Sequence, residues 1–248
     1  MTATGVHHEF AADPAEGRLF ATERTVRSTD ATPDGRLRLD GLARFLQDVA
    51  EDDVHDSGWD EGLAWLVRRY EFRLNGFPRL GEAVQLRTFC SALGPRWAQR
   101  TTTLSADGRD LIQAGAVWVA VSRDSGVTVP LGQEFRNVYG PSAQGRTVSA
   151  RLYLPGPDPD RQAAPWPLRS VDYDTAGHVN NSVHWAAIED AMAGTGWLPG
   201  QAEMEYPRPM LPGCQPELVT DRSDGKLRAW LTDGADVLAS ARLTAAVT

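Results

Sequence analysis

The chain has 248 residues, 42% of them hydrophobic and 23% charged, with a formal net charge of −8. That length suits one large domain or two modest ones, and the acidic balance argues against nucleic acid as the main partner, because phosphate binding needs clustered Lys and Arg. No apolar run reaches the length of a membrane span, and the opening MTATGVHHEF lacks the basic-then-apolar pattern of a secretory signal. Cys90 and Cys214 have no metal-type spacing, so the expectation is a cytoplasmic protein with two reduced thiols, no cofactor and no membrane partner.

Residues 1 to about 16 are polar and irregular, with adjacent His7 and His8, and read as a floppy tail. A strand is expected over 20–26, a Pro33-Asp34-Gly35 turn next, and a short strand over 36–39. Asp40 suits the N-cap of a helix. Leu42, Phe45, Leu46 and Val49 follow at i, i+3, i+4 and i+7, which gives an amphipathic helix to about residue 57, and Gly58 stops it. Four strands are expected over 64–74, 83–93, 96–106 and 110–122, the last two joined by Asp107-Gly108. From 125 to 165 the sequence turns irregular, and PGPDPDRQAAP reads as a surface linker. A second helix over about 177–194 then precedes strands over 202–206, 214–221, 226–231 and 237–247. Helix plus four strands thus occurs twice, an α+β repeat.

The chemistry concentrates in VDYDTAGHVNNSVHWAAIE, residues 171–189. Two acids, a histidine and two asparagines fall within ten residues, ahead of an apolar stripe at Val179, Val183, Ala186, Ala187 and Met192. His178 is expected in the first turn of a buried helix, where free N–H groups and the dipole favour negative charge. An acid, an imidazole and a helix N-terminus together suit hydrolysis of an acyl compound. No GxSxG elbow occurs, which removes the usual serine route, and no HExxH or Cys/His cluster suggests a metal. Glu51, Asp52, Asp53 and Asp56 around His55 read as a solvated helix face, with a second polar site at His55 as the alternative. Arg68, Arg69, Arg73, Arg96 and Arg100 are candidates for holding a carboxylate or phosphopantetheine. Trp59, Trp65, Trp97, Trp118 and Trp185 read as core or channel lining.

The run Asp172, Asp174, His178, Val179, Asn180, Asn181 resembles the second-half signature of acyl-acyl-carrier-protein thioesterases. FLQDVAEDDVHDSG, AWLVRRYEFRL, GEAVQLRTF and AGAVWVAVSRDSG extend the resemblance over most of residues 18–248. The resemblance implies a tandem, or double, hotdog fold: two antiparallel sheets, each wrapping a long central helix. Its domains would be 18–125 and 166–248, with a crossover over 126–165. It implies an acyl carrier protein or coenzyme A thioester as substrate, with a homodimer left open. Asp174 and His178 take the family's catalytic positions, with Asn181 counted beside them as a cap or brace. Asn180, His55, Trp185 and Arg73 are placed on the substrate side, while Asp172 and Glu189 are read as structural. Two positions depart from the family: Ala176 stands where it has Asn, and Pro209, in MEYPRP, where it has Glu. Glu205 lies four residues away, roughly 13 Å along an extended chain, and cannot simply substitute. Three readings follow: hydrolysis of the thioester; addition of glycine or another amine to an α,β-unsaturated acyl thioester before hydrolysis, giving a β-amino acid; and a non-catalytic acyl-thioester binding module.

Overall fold

The structure, a computed structural model, describes residues 10–60, 62–193 and 195–246. The expected tail lies outside the described residues up to residue 9. Helix α1 spans Leu39–Ser57, and the whole stripe Leu42, Phe45, Leu46 and Val49 is buried along it. Gly58, at φ 66°, gives its N–H to the His55 carbonyl and ends the helix, a left-handed turn that glycine adopts without strain. The strands are β1 (Phe20–Thr25), β2 (Leu63–Leu74), β3 (Ala83–Leu93), β4 (Trp97–Ala106), β5 (Arg109–Ser122), β6 (Ala163–Pro165), β7 (Pro199–Glu205), β8 (Glu217–Ser223), β9 (Lys226–Asp233) and β10 (Asp236–Ala245).

These strands do not form the two sheets expected. They form one ten-stranded antiparallel sheet in the order β1-β3-β4-β5-β2-β7-β10-β9-β8-β6. Read inward from either edge, the two halves have the same order, with β1, β3, β4, β5 and β2 answered by β6, β8, β9, β10 and β7. They join where β2 pairs with β7, Arg69 to Arg73 against Glu205 to Gln201. Helix α3 (Asn181–Met192) lies against α1, and both share one core with the sheet. The same strand order, with a helix against it, therefore occurs twice on one continuous sheet.

Local expectations fail in several places: α1 starts at Leu39, so Asp40 lies in its first turn and not at its N-cap, and the stretch read as linker holds β6. The segment 36–39 makes only the bridges Ala31–Leu37 and Arg36–Arg79 and is not a strand. Helix α2 (Gln133–Ala143) occupies the stretch read as irregular, burying Phe135, Tyr139 and Ala143 at a spacing of four. Those side chains pack with Trp59, Cys90, Ala98 and Ala120 in a second, smaller core. Helix α3 begins at Asn181, not near 177.

In β2 a bulge between Val67 and Arg69 resets the alternation of faces. Tyr70, Phe72 and Leu74 join the core under the helices. Arg69, Glu71 and Arg73 alternate with them and take the opposite face. There Arg69 lies over Tyr153, and Arg73 over Phe10.

Candidate active site

The approach to α3 is a tight, self-braced turn. A 3-10 turn at Ser170–Asp172 opens it, with the Arg169 N–H donating to Asp172 Oδ2 at 2.7 Å. Arg169 also pairs with the buried Asp172 carboxylate at 2.8 Å, so Asp172 is structural, as read. Tyr173 then bridges Val179, the Asp174 N–H donates to the His178 carbonyl at 2.8 Å, and Gly177 turns the corner at φ 75°. Asp174 Oδ1 accepts from Ala176 N–H at 2.9 Å and His178 N–H at 3.3 Å. Its Oδ2 makes no hydrogen bond among the described residues, nor does the half-buried His178 ring. The turn thus holds a carboxylate with one oxygen braced and the other available, next to an imidazole.

Asn180 caps the helix. Its Oδ1 accepts from Ser182 N–H at 2.9 Å and Ser182 Oγ at 2.8 Å, and its Nδ2 reaches Gln47 Oε1 on α1 at 3.4 Å. The bracing role expected of Asn181 therefore belongs to Asn180, whose amide is too committed for the substrate contact expected of it. Asn181 is the first helical residue. Its own N–H donates to nothing among the described residues, as the first amides of a helix do unless something caps them. His178 sits before the helix, not within its first turn.

The remaining expected substrate residues divide. Trp185 is fully buried, stacked on Phe72 at 4.6 Å, and lies one turn into α3. Arg73 is on the far face of the sheet, bonded to Gln113 and lying over Phe10, because the β2 bulge fixes its parity. His55 is exposed near the C-terminal end of α1, eight residues or about 12 Å beyond Gln47 along the helix. Neither joins the signature. Within the charge run beside His55, Asp53 is fully buried between Arg18, at 2.5 Å, and Arg100, at 2.6 Å, so that run is not simply a solvated face.

Glu205 is committed elsewhere. Its two carboxylate oxygens accept the N–H groups of Tyr153 and Leu154 at 2.8 and 2.9 Å, pinning the crossover segment. Pro209, exposed, lies in the segment that passes the signature, where the Val179 N–H donates to the Met210 carbonyl. That segment brings no carboxylate to the place. Burial pushes the Cys90 thiol up to about 12, so it is no nucleophile at neutral pH. An open groove of about 470 Å³ between Leu93–Pro95 and α2 contains none of the signature residues.

Three residues that the sequence reading passed over belong here: Gln47, His184 and Tyr206. His184 is buried beneath the cap, its Nδ1 on the Asn180 carbonyl at 3.3 Å and its ring edge-on to Tyr206 at 5.2 Å. Burial pushes this imidazole down to about 4, so it is neutral. A polar residue on the apolar stripe of α3 was the available signal.

The acyl-ACP thioesterase N-terminal domain family matches residues 17–139. An uncharacterized protein of Mycobacterium tuberculosis is 27% identical over 233 residues, covering 93% of each chain. A chloroplastic palmitoyl-acyl carrier protein thioesterase of Arabidopsis thaliana is 20% identical over 190 residues, 70% of this chain and 43% of that one. The 12:0-ACP thioesterase of Umbellularia californica superposes with a TM-score of 0.77 at 19% identity, covering 92% of this chain and 97% of that one. The superposition confirms the hotdog fold, and the match over residues 17–139 is to the N-terminal domain of acyl-ACP thioesterases, which are thioester hydrolases.

Proposed function

We propose that this chain hydrolyses an acyl thioester, carried on acyl carrier protein or coenzyme A, to the free acid, using the turn before α3. The observation that carries the reading is the unclaimed Asn181 N–H at the helix start, preceded directly by the turn that holds the free oxygen of Asp174 and the unbonded ring of His178. The thioester carbonyl oxygen sits on the Asn181 N–H, where the helix dipole favours the charge that develops on it. Asp174 Oδ2 takes a proton from water as that water attacks the carbonyl carbon. The tetrahedral intermediate collapses, the carbon–sulfur bond breaks, and the thiolate leaves with a proton. His178 polarises the carbonyl or supplies that proton. The two halves act as hotdog domains, 18–125 and 166–248, with the second carrying the chemistry.

Asp174→Asn tests it. Thiol release from a panel of acyl-ACP and acyl-CoA thioesters is expected to fall about 10²- to 10⁴-fold, the usual contribution of a general base, with the melting temperature kept. Turnover within threefold of the unsubstituted chain would remove Asp174 from the chemistry.

A further inference from the structure

Four aromatic side chains with hydrogen-donating ends meet beneath the start of α3. Trp185 lies four residues after Asn181, about 6 Å along the helix. Tyr70 from β2 stands 6.5 Å from it, 6.0 Å from Trp118 of β5 and 6.2 Å from Tyr206, just after β7, in each case edge to face. Phe72 closes the group against Tyr70 and Trp185. The Tyr70 hydroxyl, the Tyr206 hydroxyl and the indole N–H groups of Trp118 and Trp185 are all buried, and none makes a hydrogen bond among the described residues. Trp185 and Tyr206 at least turn their polar ends toward each other. Tyr70, with no exposed surface, has no such neighbour, nor has Trp118.

Each buried polar group left unpaired costs about 1–3 kcal/mol. Phenylalanine would fill the Tyr70 position with nearly the same shape and none of that cost. Native cores keep such groups rare, and here Tyr70 and Trp118 stay unpaired beside the facing Trp185 and Tyr206. All four can donate, and Trp185 among them sits one helical turn inward from the amide that the hydrolytic reading gives to the thioester carbonyl. An acyl chain running inward from that amide reaches them a few carbons along.

We propose that this cluster reads an oxygen acceptor on the acyl chain: the substrate is an acyl thioester with a hydroxyl or keto oxygen a few carbons from the thioester carbonyl, not a plain hydrocarbon chain. The inference rests on the hydrolytic reading of α3 for where the chain enters. The rings fill the space in this structure, so they move aside as the acyl group enters. The oxygen then takes hydrogen bonds from Tyr70 and Trp118, with Tyr206 and Trp185 beside them.

The test uses the full chain and non-hydrolysable amide analogues of acyl-pantetheine: octanoyl, and octanoyl bearing a hydroxyl or a keto group at carbon 3 or carbon 5. Calorimetry is expected to show at least one oxygenated analogue binding tenfold or more tighter than octanoyl. That preference is expected to shrink to threefold or less in Tyr70→Phe or Trp118→Phe. Tyr70→Phe removes an unpaired hydroxyl, so its melting temperature is expected to hold or rise; if it unfolds, Trp118→Phe carries the comparison alone. No oxygen preference, or one that survives in every folded variant, overturns the inference and means that the donors are served by buried water alone. Hydrolysis of plain octanoyl thioester without oxygen preference would sink this inference and leave the hydrolase. Oxygen-dependent binding, with no turnover of the matching thioester, would keep the cluster and sink hydrolysis.

Discussion

Residues 27–39 and 169–181 fold into the same shape and end in opposite chemistry. Each begins Arg-Ser-x-Asp, with the Asp carboxylate accepting the Arg backbone N–H across a 3-10 turn. Each closes a small bridge, Ala31–Leu37 or Tyr173–Val179, and turns on a glycine at positive φ, Gly35 or Gly177. Each delivers a helix four residues later. In the first half the helix start is already taken. Glu189 of α3 puts Oε1 on the Leu39 N–H at 2.6 Å, and Arg36 clamps the same carboxylate with two bonds, at 3.0 and 2.8 Å. In the second half, His178 stands in place of Arg36, and the residue eight positions into the facing helix is the neutral Gln47. There the equivalent amide, Asn181 N–H, is left over. The pseudo-two-fold makes two equivalent anion positions, and an internal carboxylate fills one of them. On the proposed hydrolysis, Glu189 marks by example the place of the thioester oxygen in the other.

Breaking the filled position should have the largest effect. Glu189→Ala leaves the nearly buried Arg36 guanidinium without a counter-charge and uncaps α1. Removing one partner of such a pair costs about 3–5 kcal/mol, read as a large drop in the midpoint of urea unfolding. Gln47→Ala, at the same place in the other half, should cost less than about 1 kcal/mol. Equal costs would contradict the asymmetry.

The next contrast lies three residues into each helix, where α1 has Leu42 and α3 has His184. Both are buried, but only the histidine can be charged. In the unfolded chain it gains its proton near its ordinary value of 6.5, whereas in the fold burial holds it neutral down to about 4. Between those values the unfolded state binds more protons. Stability is therefore full above about pH 6.5 and falls as the pH drops toward 4, by about 3 kcal/mol. Chemical unfolding of the unsubstituted chain and His184→Leu over pH 4–7 checks this. The histidine's share of the slope should vanish in the variant, and parallel curves would mean that His184 titrates normally.

Much of the frame was legible in local pattern. The α1 stripe, the Gly58 stop and the edges of β3 follow from period and turn chemistry alone. Helix α2 was hidden because Gly132, Gly140 and Pro141 interrupt its apolar pattern, with Pro141 inside its last turn. Which face Arg73 takes was not legible, since one bulge at Val67/Arg69 resets the parity of everything after it. Merging the sheets depends on β2 meeting β7, a pairing some 130 residues apart in the chain. The helix starts at Asn181 because the Asn180–Ser182 cap outcompetes earlier residues. The twin site had a sequence signal in RSTD and RSVD, each with a glycine five residues after its Asp, but its opposite fillings depend on contacts between helices.

Gln47→Glu would turn the open position into a copy of the filled one. A carboxylate there can reach across to the Asn181 N–H as Glu189 reaches Leu39, with His178 standing where Arg36 stands in the other half. Thioester turnover should fall tenfold or more, while the melting temperature holds or rises. Unchanged turnover would mean that the substrate carbonyl does not use this amide.

The smallest effects should come from the turns themselves. Gly35→Ala and Gly177→Ala each force a side chain into a left-handed conformation, at φ 87° and 75°. Neither added carbon meets a close contact: the nearest atoms are 3.8 Å away at Gly35, and none lies within 4 Å at Gly177. Each should therefore cost only about 1–2 kcal/mol of backbone strain, and the two costs should match because the turns match. Activity should separate them. Gly177 sets the spacing between Asp174 and Asn181, so its variant should lose several-fold in kcat/KM, whereas the Gly35 variant, at the plugged site, should not. Matched stabilities with unequal rates would tie the chemistry to the second turn, and equal rates would show that the geometry of that turn does not govern the reaction.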